Sequence, residues 1–484
     1  MATNGSSNGT SYTVPLLING KEVVTDTTFP VTSPASDKLL WHSASSSKSD
    51  ALSAVSAAAA AFPSWSKTKP AFRRDIFLRA ADILDKRAAE CAGYMDQETG
   101  SVDAFSKDFN LPSAAEMIRD IAGRISGIMG AIPTCAVEGT SALVLKEPYG
   151  VILGIAPWNA PYILGIRAFA YALAAGNTCI LKGSELCPRT FWAIGSVFTE
   201  AGLPDGCLNV LYHRPQDAAE VTTVLIEHPL VKKVNFTGST AVGSIIAATA
   251  GKALKPVLME LGGKASAIVL EDADLEKAAT QCALGAFLHS GQICMSTERI
   301  LLHRSILEPF KKALSTAISN IFSDSQPAPI LVTSAGVEKN KKLISNALDK
   351  GASLVYGDPQ TQEASATRMR PIVISDVTKD MDIYHTESFG PSVSLIAVDT
   401  EDEAVEMAND TEYGLSGAVF TENLARGLRI ARRIESGAVH INSMSVHDEA
   451  NLPHGGVKKS GWGRFNGMWG LEEFLRTKTI TFQE

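Results

Sequence analysis

Cys294 stands in Ser290-Gly291-Gln292-Ile293-Cys294-Met295-Ser296, after a helical pattern over about Leu275–Leu288 and before a strand pattern. A thiol on a loop, with Gly291 punctuating the approach, suits the edge of a cleft, where it is a nucleophile if its pKa is lowered. The alternative is a buried, inert cysteine. Glu260 lies among Val257, Leu258, Met259 and Leu261, just before Gly262-Gly263. A carboxyl group in apolar surroundings holds a proton more readily, the condition for general-base work; the alternative is a surface or salt-bridged Glu at a strand end. Asn159, in Pro157-Trp158-Asn159-Ala160-Pro161, ends an apolar run. Its side-chain amide could donate to a developing oxyanion, or could serve only the loop.

Two other segments suit a phosphate-bearing ligand. In Phe236-Thr237-Gly238-Ser239-Thr240-Ala241-Val242-Gly243 a strand runs into a helix N-terminus, whose free N–H groups attract anions. The segment lacks the G-x-G-x-x-G spacing and reads equally as a turn capped by Ser239 or Thr240. Lys182-Gly183-Ser184-Glu185 ends another strand, a position that faces ligands in parallel sheets.

These residues need elements to position them. Val14 to Val24 predicts a strand, a turn at Asn19-Gly20 and a second strand. Ser47–Phe62 and Phe72–Glu98 have helical spacing. From Tyr149 short apolar runs alternate with helices: Val151–Ala156, a helix from about Pro161, Thr178–Leu181, a helix after Pro188, Leu208–Leu211 and Val231–Phe236. That alternation predicts β-α-β units in a parallel sheet. A second series runs from Ala265 to about Asn442, and Asp324–Pro329 is a polar connection.

With 484 residues, the chain is long enough for at least two domains. Its net charge of −8, with basic residues only in pairs such as Lys232-Lys233, gives no reason to expect nucleic acid. Seven cysteines are thinly spread and predict no disulfide framework, hence a reducing, cytoplasmic setting. Met1–Thr10 reads as a disordered tail, and its sequons at Asn4 and Asn8 carry little weight without an export signal. Gly150–Gly176 is apolar but interrupted by Pro157, Asn159, Pro161 and Arg167, so no membrane span is expected. No metal site is expected.

Taken in order, these motifs resemble the aldehyde dehydrogenase superfamily from about Val14 to Phe482. Further matching pieces are Glu387-Ser388-Phe389-Gly390-Pro391, Tyr413-Gly414-Leu415 and Ile441-Asn442. Near Lys182, Arg167 and Cys294 the wording is similar to the aromatic-aldehyde branch, the salicylaldehyde and vanillin type. The resemblance implies an α/β fold with a Rossmann-type coenzyme domain (13–123 and 147–260, after a tail at 1–12), an α/β catalytic domain (261–470) and a small β oligomerisation flap (124–146 and 471–484). It implies Cys294 as nucleophile, Glu260 as general base, and Asn159 with the Cys294 N–H as oxyanion hole. NAD is the implied coenzyme, with NADP possible. Its contacts would be Ile155, Ala156, Pro157, Trp158, Lys182, Ser184, Glu185, Phe236, Thr237, Gly238, Ser239, Gly243, Leu261, Glu387 and Phe389. The partners implied are a small aldehyde and further copies in a homodimer or homotetramer. Gly183 departs from the family, where Pro is common, and would loosen its loop.

The chemistry explains why such residues belong together. A free aldehyde carbon has no charge to push out hydride, whereas a thiolate adduct is an alkoxide that can expel it. Asn159 would stabilise that alkoxide, one such donor being worth about 3–4 kcal/mol. Glu260 would then activate water against the thioester. A cysteine hydrolase would need no coenzyme turn and would usually pair its cysteine with His; a thioester-exporting dehydrogenase would not need Glu260; a silent binding protein would not need all three groups.

For the substrate, Ala160, Leu164, Arg167 and Tyr171 are spaced to share one helix face after Asn159. Phe287, Leu288, Ile293 and Met295 flank the nucleophile's loop and could supply apolar walls. Arg167 could stack on an aromatic ring or bond its hydroxyl, or could simply pair with an acidic residue at a domain or subunit contact. The expected substrate is an aromatic aldehyde.

Overall fold

The computed structural model describes residues 12–323 and 325–483. The expected tail over Met1–Thr10 with Asn4 and Asn8, and Asp324 of the expected connection, lie outside the described residues. An eight-stranded sheet runs in the order Gly461–Trp462, Val257–Glu260, Val231–Thr237, Val151–Ile155, Thr178–Lys182, Leu208–Leu211, Leu16–Ile18, Lys21–Val23. Pairing is parallel from Val257–Glu260 through Leu208–Leu211 and antiparallel at both flanks. Every residue of Val151–Ile155 is buried, as a strand covered by helices on both faces requires. The predicted hairpin turns through Asn19 (φ 53°) and Gly20 (φ 71°), both left-handed, which matches the twist of its strands.

A seven-stranded sheet runs Ser353–Tyr356, Ile372–Ser375, Ser392–Val398, Thr297–His303, Ala265–Val269, Ser416–Phe420, Ala438–Ile441. All its pairings but the first are parallel. Its faces bury separate clusters: Ile268, Leu301 and Val419 on one side, Val269, Ile300 and Leu302 on the other. This is the α/β architecture expected from the alternating pattern.

Register decides what the first sheet presents. Ile155 is paired with Lys182 and with Phe236, and Thr237 with Glu260. The carboxyl ends of four adjacent strands thus form one row, and the loops that leave it carry the candidate residues.

Several expectations need correction. The pattern Phe72–Glu98 is two helices, Pro70–Lys86 and Ala88–Thr99, broken at Arg87 (φ −97°, ψ 11°). The helix from Pro161 stops at Arg167, and another, Ala170–Ala174, starts after Phe169 (φ −134°). Apolar spacing continues across this break, so periodicity could not show it; Asn235 Nδ2 donates to the Ala168 carbonyl there, at 2.9 Å. Tyr171 therefore does not share a face with Ala160, Leu164 and Arg167. Gly461–Trp462 belongs to the first sheet, so the stretch 261–470 does not stay with the second. The boundary at 470/471 falls inside the helix Gly467–Glu472. The boundary at 146/147 falls inside Thr140–Pro148, which pairs antiparallel along its length with Leu475–Gln483 as a two-stranded ribbon.

Glu98 joins two of the helices that cover the first sheet. Buried at the end of Ala88–Thr99, it accepts from Trp41 Nε1 (3.0 Å), Thr190 Oγ1 (2.7 Å) and the N–H groups of Arg189 and Thr190 (both 2.9 Å) at the start of Pro188–Glu200. Glu98→Ala would strand these donors and is expected to cost about 3 kcal/mol, read from urea unfolding. An unchanged transition would show that Glu98 does not hold these helices.

Candidate active site

The segment carrying Cys294 begins with a costly backbone. After the helix Leu275–Phe287, His289 (φ 48°), Ser290 (φ 60°) and Gly291 (φ 70°) are successively left-handed. For each non-glycine that costs about 1–2 kcal/mol. Side chains offset it. Ser290 Oγ donates to the Ile330 carbonyl at 3.0 Å. Gln292 Nε2 donates to the carbonyls of His289 and Ile330, and its Oε1 accepts from Val332 N–H at 2.9 Å. The His289 ring stacks on Phe105 with centroids 4.1 Å apart.

From the opposite side, Gly262-Gly263 press on the same place. A Cβ on Gly263 would lie 2.2 Å from the Cys294 carbonyl oxygen, and one on Gly262 2.7 Å from Glu387 Oε2. The close approach of the crossing chain to both residues requires glycine.

Cys294 stands between two cavities. One, of about 260 Å³, is lined by Pro157, Trp158, Asn159, Glu260, Glu387 and Phe389 and by the turn Thr237-Gly238-Ser239. The other, of about 40 Å³, lies towards Ala160, Leu164, Arg167, Ile293 and Met295. Asn159 and Cys294 line both. Asn159 Nδ2 donates to the Gln292 carbonyl at 3.0 Å, which fixes its amide beside the cysteine loop. Glu260 is 1% exposed, and neither carboxyl oxygen has a hydrogen-bond partner among the described residues. Burial first, and the neighbouring Glu260 carboxyl next, push the Cys294 thiol well above its ordinary pKa. The thiol is therefore protonated at rest, and its activation needs a base.

On the larger cavity's side, the Ser239 hydroxyl caps the helix Thr240–Lys252 by accepting from Val242 N–H. Gly243 is buried against Leu261, where a Cβ would lie 2.4 Å from Leu261 Cδ2. Glu387 accepts from Gly263 N–H at 2.8 Å, and burial followed by the Glu298 charge pushes it up to about 7. Phe389 meets Trp158 edge-on at 5.9 Å. An anion-facing helix start, a carboxyl acceptor and aromatic walls suit a ligand with phosphates, ribose hydroxyls and a flat ring. Ile155, Ala156 and Phe236 are buried in or beside their strands, and the Ser184 hydroxyl turns to Leu186 N–H. Lys182 ends its strand with its ammonium driven down by burial and supported by Glu185. Glu185 lines a separate open cavity of about 530 Å³ with Val332 and Thr333. Gly183 does not loosen its loop: its N–H is bonded to the Leu211 carbonyl, and a Cβ would lie 2.4 Å from the Phe191 ring.

On the smaller cavity's side two expectations fail. Phe287 is buried in the second sheet's core against Phe322, Leu288 is half-buried against the first sheet's core cluster, and neither lines the cavity. Both follow the helix inward, whereas the left-handed turn points the later residues at the cavity. Arg167, 1% exposed, is ion-paired with Asp448 and lies over the Phe465 ring at 5.6 Å. The acidic-partner alternative is thus the arrangement found, and it is internal to the chain.

The sequence reading missed Gln292's anchoring role, Glu298, Lys339, Asp448 and His454. Glu298 accepts from Ser388 N–H, Ser388 Oγ, Phe389 N–H and Lys264 Nζ. Lys339 stands at the larger cavity and Asp448 and His454 at the smaller. A charged residue inside the strand pattern Thr297–His303 was the available signal for Glu298; nothing local marked the others.

Because the thiol is held up, alkylation of Cys294 by iodoacetamide is expected to keep accelerating above pH 9, past the value of an ordinary thiol. Peptide mass spectrometry would follow it, and a rate that levels off below that pH would contradict the burial argument.

Comparison with known proteins agrees with this geometry. The model of the aldehyde dehydrogenase family matches residues 22–480. A vanillin dehydrogenase of Pseudomonas sp. (strain HR199 / DSM 7063) is 42% identical over 479 residues, covering 98% of each chain. The structure of a salicylaldehyde dehydrogenase from Pseudomonas putida G7, complexed with salicylaldehyde, superposes with TM-score 0.94 at 36% identity over 98% of each chain. A betaine aldehyde dehydrogenase from Staphylococcus aureus, in complex with NAD+, gives TM-score 0.91 at 29% identity, covering 97% of this chain and 94% of that one. The resemblance read from the motifs is borne out: the chain belongs to the aldehyde dehydrogenase family, as an NAD(P)-dependent enzyme that oxidises an aldehyde to the carboxylic acid.

Proposed function

We propose that Cys294 is the nucleophile, Glu260 its base and Asn159 the oxyanion donor. The supporting observation is their convergence at the junction of two cavities. Glu260 takes the thiol proton, and the thiolate adds to the aldehyde carbon. The Asn159 amide and the Cys294 N–H hold the alkoxide. The coenzyme, when bound, supplies the acceptor for the hydride. Loss of hydride leaves a thioester on Cys294. Glu260 then takes a proton from water, the hydroxide adds, the C–S bond breaks and the acid leaves.

We assign the coenzyme to the larger cavity, within the unit of the first sheet. The helix start at Ser239-Thr240 would face its phosphates, Glu387 a ribose, and Trp158 and Phe389 its ring. Lys182 and Glu185, outside that cavity's lining, would meet the adenosine ribose of a coenzyme that extends beyond it. A carboxylate there accepts hydroxyl hydrogen bonds and repels a 2′-phosphate, which favours NAD. The aldehyde takes the narrow side, where Leu164, Ile293 and Met295 give apolar walls for a flat ring and Arg167 with Asp448 a polar end. The relatives named for vanillin and salicylaldehyde support an aromatic substrate. The second sheet's unit supplies Cys294 and is the catalytic domain in this reading. No helix among the described residues is long and apolar enough to cross a membrane. The seven cysteines are free, which supports a reducing, cytoplasmic setting.

The ribbon of Thr140–Pro148 and Leu475–Gln483 exposes Leu145, Ile480 and Phe482, and Met129 and Ile132 are exposed just before it. Apolar side chains exposed on a two-stranded ribbon are a surface for further copies. Light scattering is expected to give a mass of two or four chains, and a single-chain mass would remove this reading.

One matrix of assays tests the site. NADH formation is expected to be fastest with hydroxybenzaldehydes, slower with acetaldehyde, and higher in kcat/KM with NAD than NADP. Cys294→Ala is expected to abolish it with unchanged circular dichroism. A preference for acetaldehyde or for NADP would overturn those parts separately, and an active Cys294→Ala would overturn the nucleophile.

A further inference from the structure

Resting on the assignment of Glu260 as base, the cycle gives it a traffic problem. It takes one proton from the Cys294 thiol and later another from water, and one carboxyl group holds a single proton at a time. The first proton must leave before hydrolysis. Yet Glu260 is buried, and no described residue hydrogen-bonds to its oxygens.

The adjacent group able to receive a proton is His454. It is 8% exposed, and its Nε2 has no hydrogen-bond partner among the described residues. That nitrogen lies 3.9 Å from Glu260 Oε1. The backbone beneath the ring is fixed by a pair of hydrogen bonds between His454 and Phe465, at 3.0 and 2.8 Å. On the far side of the ring, Nδ1 is 4.0 Å from Asp448 Oδ1. Asp448 is held by its ion pair with Arg167 and by Asn466 Nδ2 at 2.8 Å. Asp448 lines the narrow cavity beside Cys294 and also an open cleft of about 710 Å³ shared with Glu116, Asp120 and Arg124. A row Glu260–His454–Asp448 therefore leads from the buried base to open solvent. Both gaps exceed a hydrogen bond. The relay requires the imidazole to turn towards each in turn, and among the described residues it has no Nε2 hydrogen bond to break.

We propose that His454 is the proton relay of Glu260. With its hydrogen on Nδ1, the ring takes the Glu260 proton on Nε2, which restores the carboxylate. The imidazolium, faced by Asp448, then gives its Nδ1 proton to that side and to water in the cleft. Exchange of the remaining Nε2 proton for one on Nδ1 through solvent restores the starting tautomer. Only O–H and N–H bonds change, and one proton leaves per passage. His454 acts through Glu260, so it is a positioning and relay residue, and it also lines the narrow cavity.

The relay can be tested without coenzyme, because p-nitrophenyl acetate can acylate Cys294 directly. In His454→Phe the first equivalent of nitrophenolate is expected to slow only by what the altered wall of the narrow cavity costs, since the first thiol proton passes to Glu260 without the relay. The steady phase should then fall about a hundredfold or more, the range ascribed to proton transfer. Added imidazole should speed the steady phase of His454→Ala in proportion to its concentration, and that of wild type little. A His454→Phe steady phase equal to wild type would overturn the relay. So would burst and steady phases that fall together without imidazole rescue in both variants and in His454→Gln, the mark of a packing role. Failure of the underlying assignment looks different: wild type itself would show no burst, or Glu260→Gln would turn over normally.

Discussion

The buried ion pair between Lys264 and Glu298 is the contact on which the rest of the site depends. Lys264 ends the short segment by which the chain leaves the first sheet at Glu260 and enters the second at Ala265. Its ammonium lies 2.6 Å from Glu298 Oε2 and 2.8 Å from the Thr386 carbonyl, and neither charged side chain meets solvent appreciably. Such a pair is weak as a net source of stability, but losing one partner costs about 3–5 kcal/mol because the other charge is left buried alone. Its value here is positional. Glu298 spends its remaining acceptor capacity on Ser388 and Phe389, so the crossing segment and the loop carrying Glu387 and Phe389 are locked to one another.

With that crossing fixed, Glu260 and Cys294 come from different sheets yet face one another. Gly263 lets the crossing backbone lie against the Cys294 carbonyl, and Gln292 ties the cysteine loop to the segment Ile330–Val332. The left-handed run His289–Gly291 is affordable only because these bonds over-determine it. The polar groups around the thiol divide into two kinds. Glu298, Gln292 and Asn159 are bonded and rigid. Glu260 and His454 Nε2 are buried without hydrogen-bond partners among the described residues, a state that in the proposed cycle leaves them open to bonds formed during reaction.

Much of the fold was legible in the sequence because strands buried on both faces are written as largely apolar runs: Leu208–Leu211, buried throughout, falls where the pattern put it. The breaks at Arg87 and after Arg167 were not legible, since apolar spacing continues through them and the compensation at Ala168 comes from the distant Asn235. Reading Phe287 and Leu288 as cavity walls failed for a related reason. Closeness in sequence to Cys294 says nothing once His289 to Gly291 reverse the chain's direction.

The sequence by itself determined the candidates: an amide and a carboxyl at the ends of apolar runs and a cysteine on the loop between a helix and a strand, in the order and wording of one family. Local residue type and spacing are enough for that, because the groups must leave strand ends to reach a ligand. Only the tertiary structure decided how they are powered. Whether the thiol rests protonated depends on its burial beside Glu260, and whether Arg167 is free depends on Asp448, 281 residues further along the chain. Burial and charge pairing are properties of what the fold brings together across two sheets, and no stretch of neighbouring residues contains them.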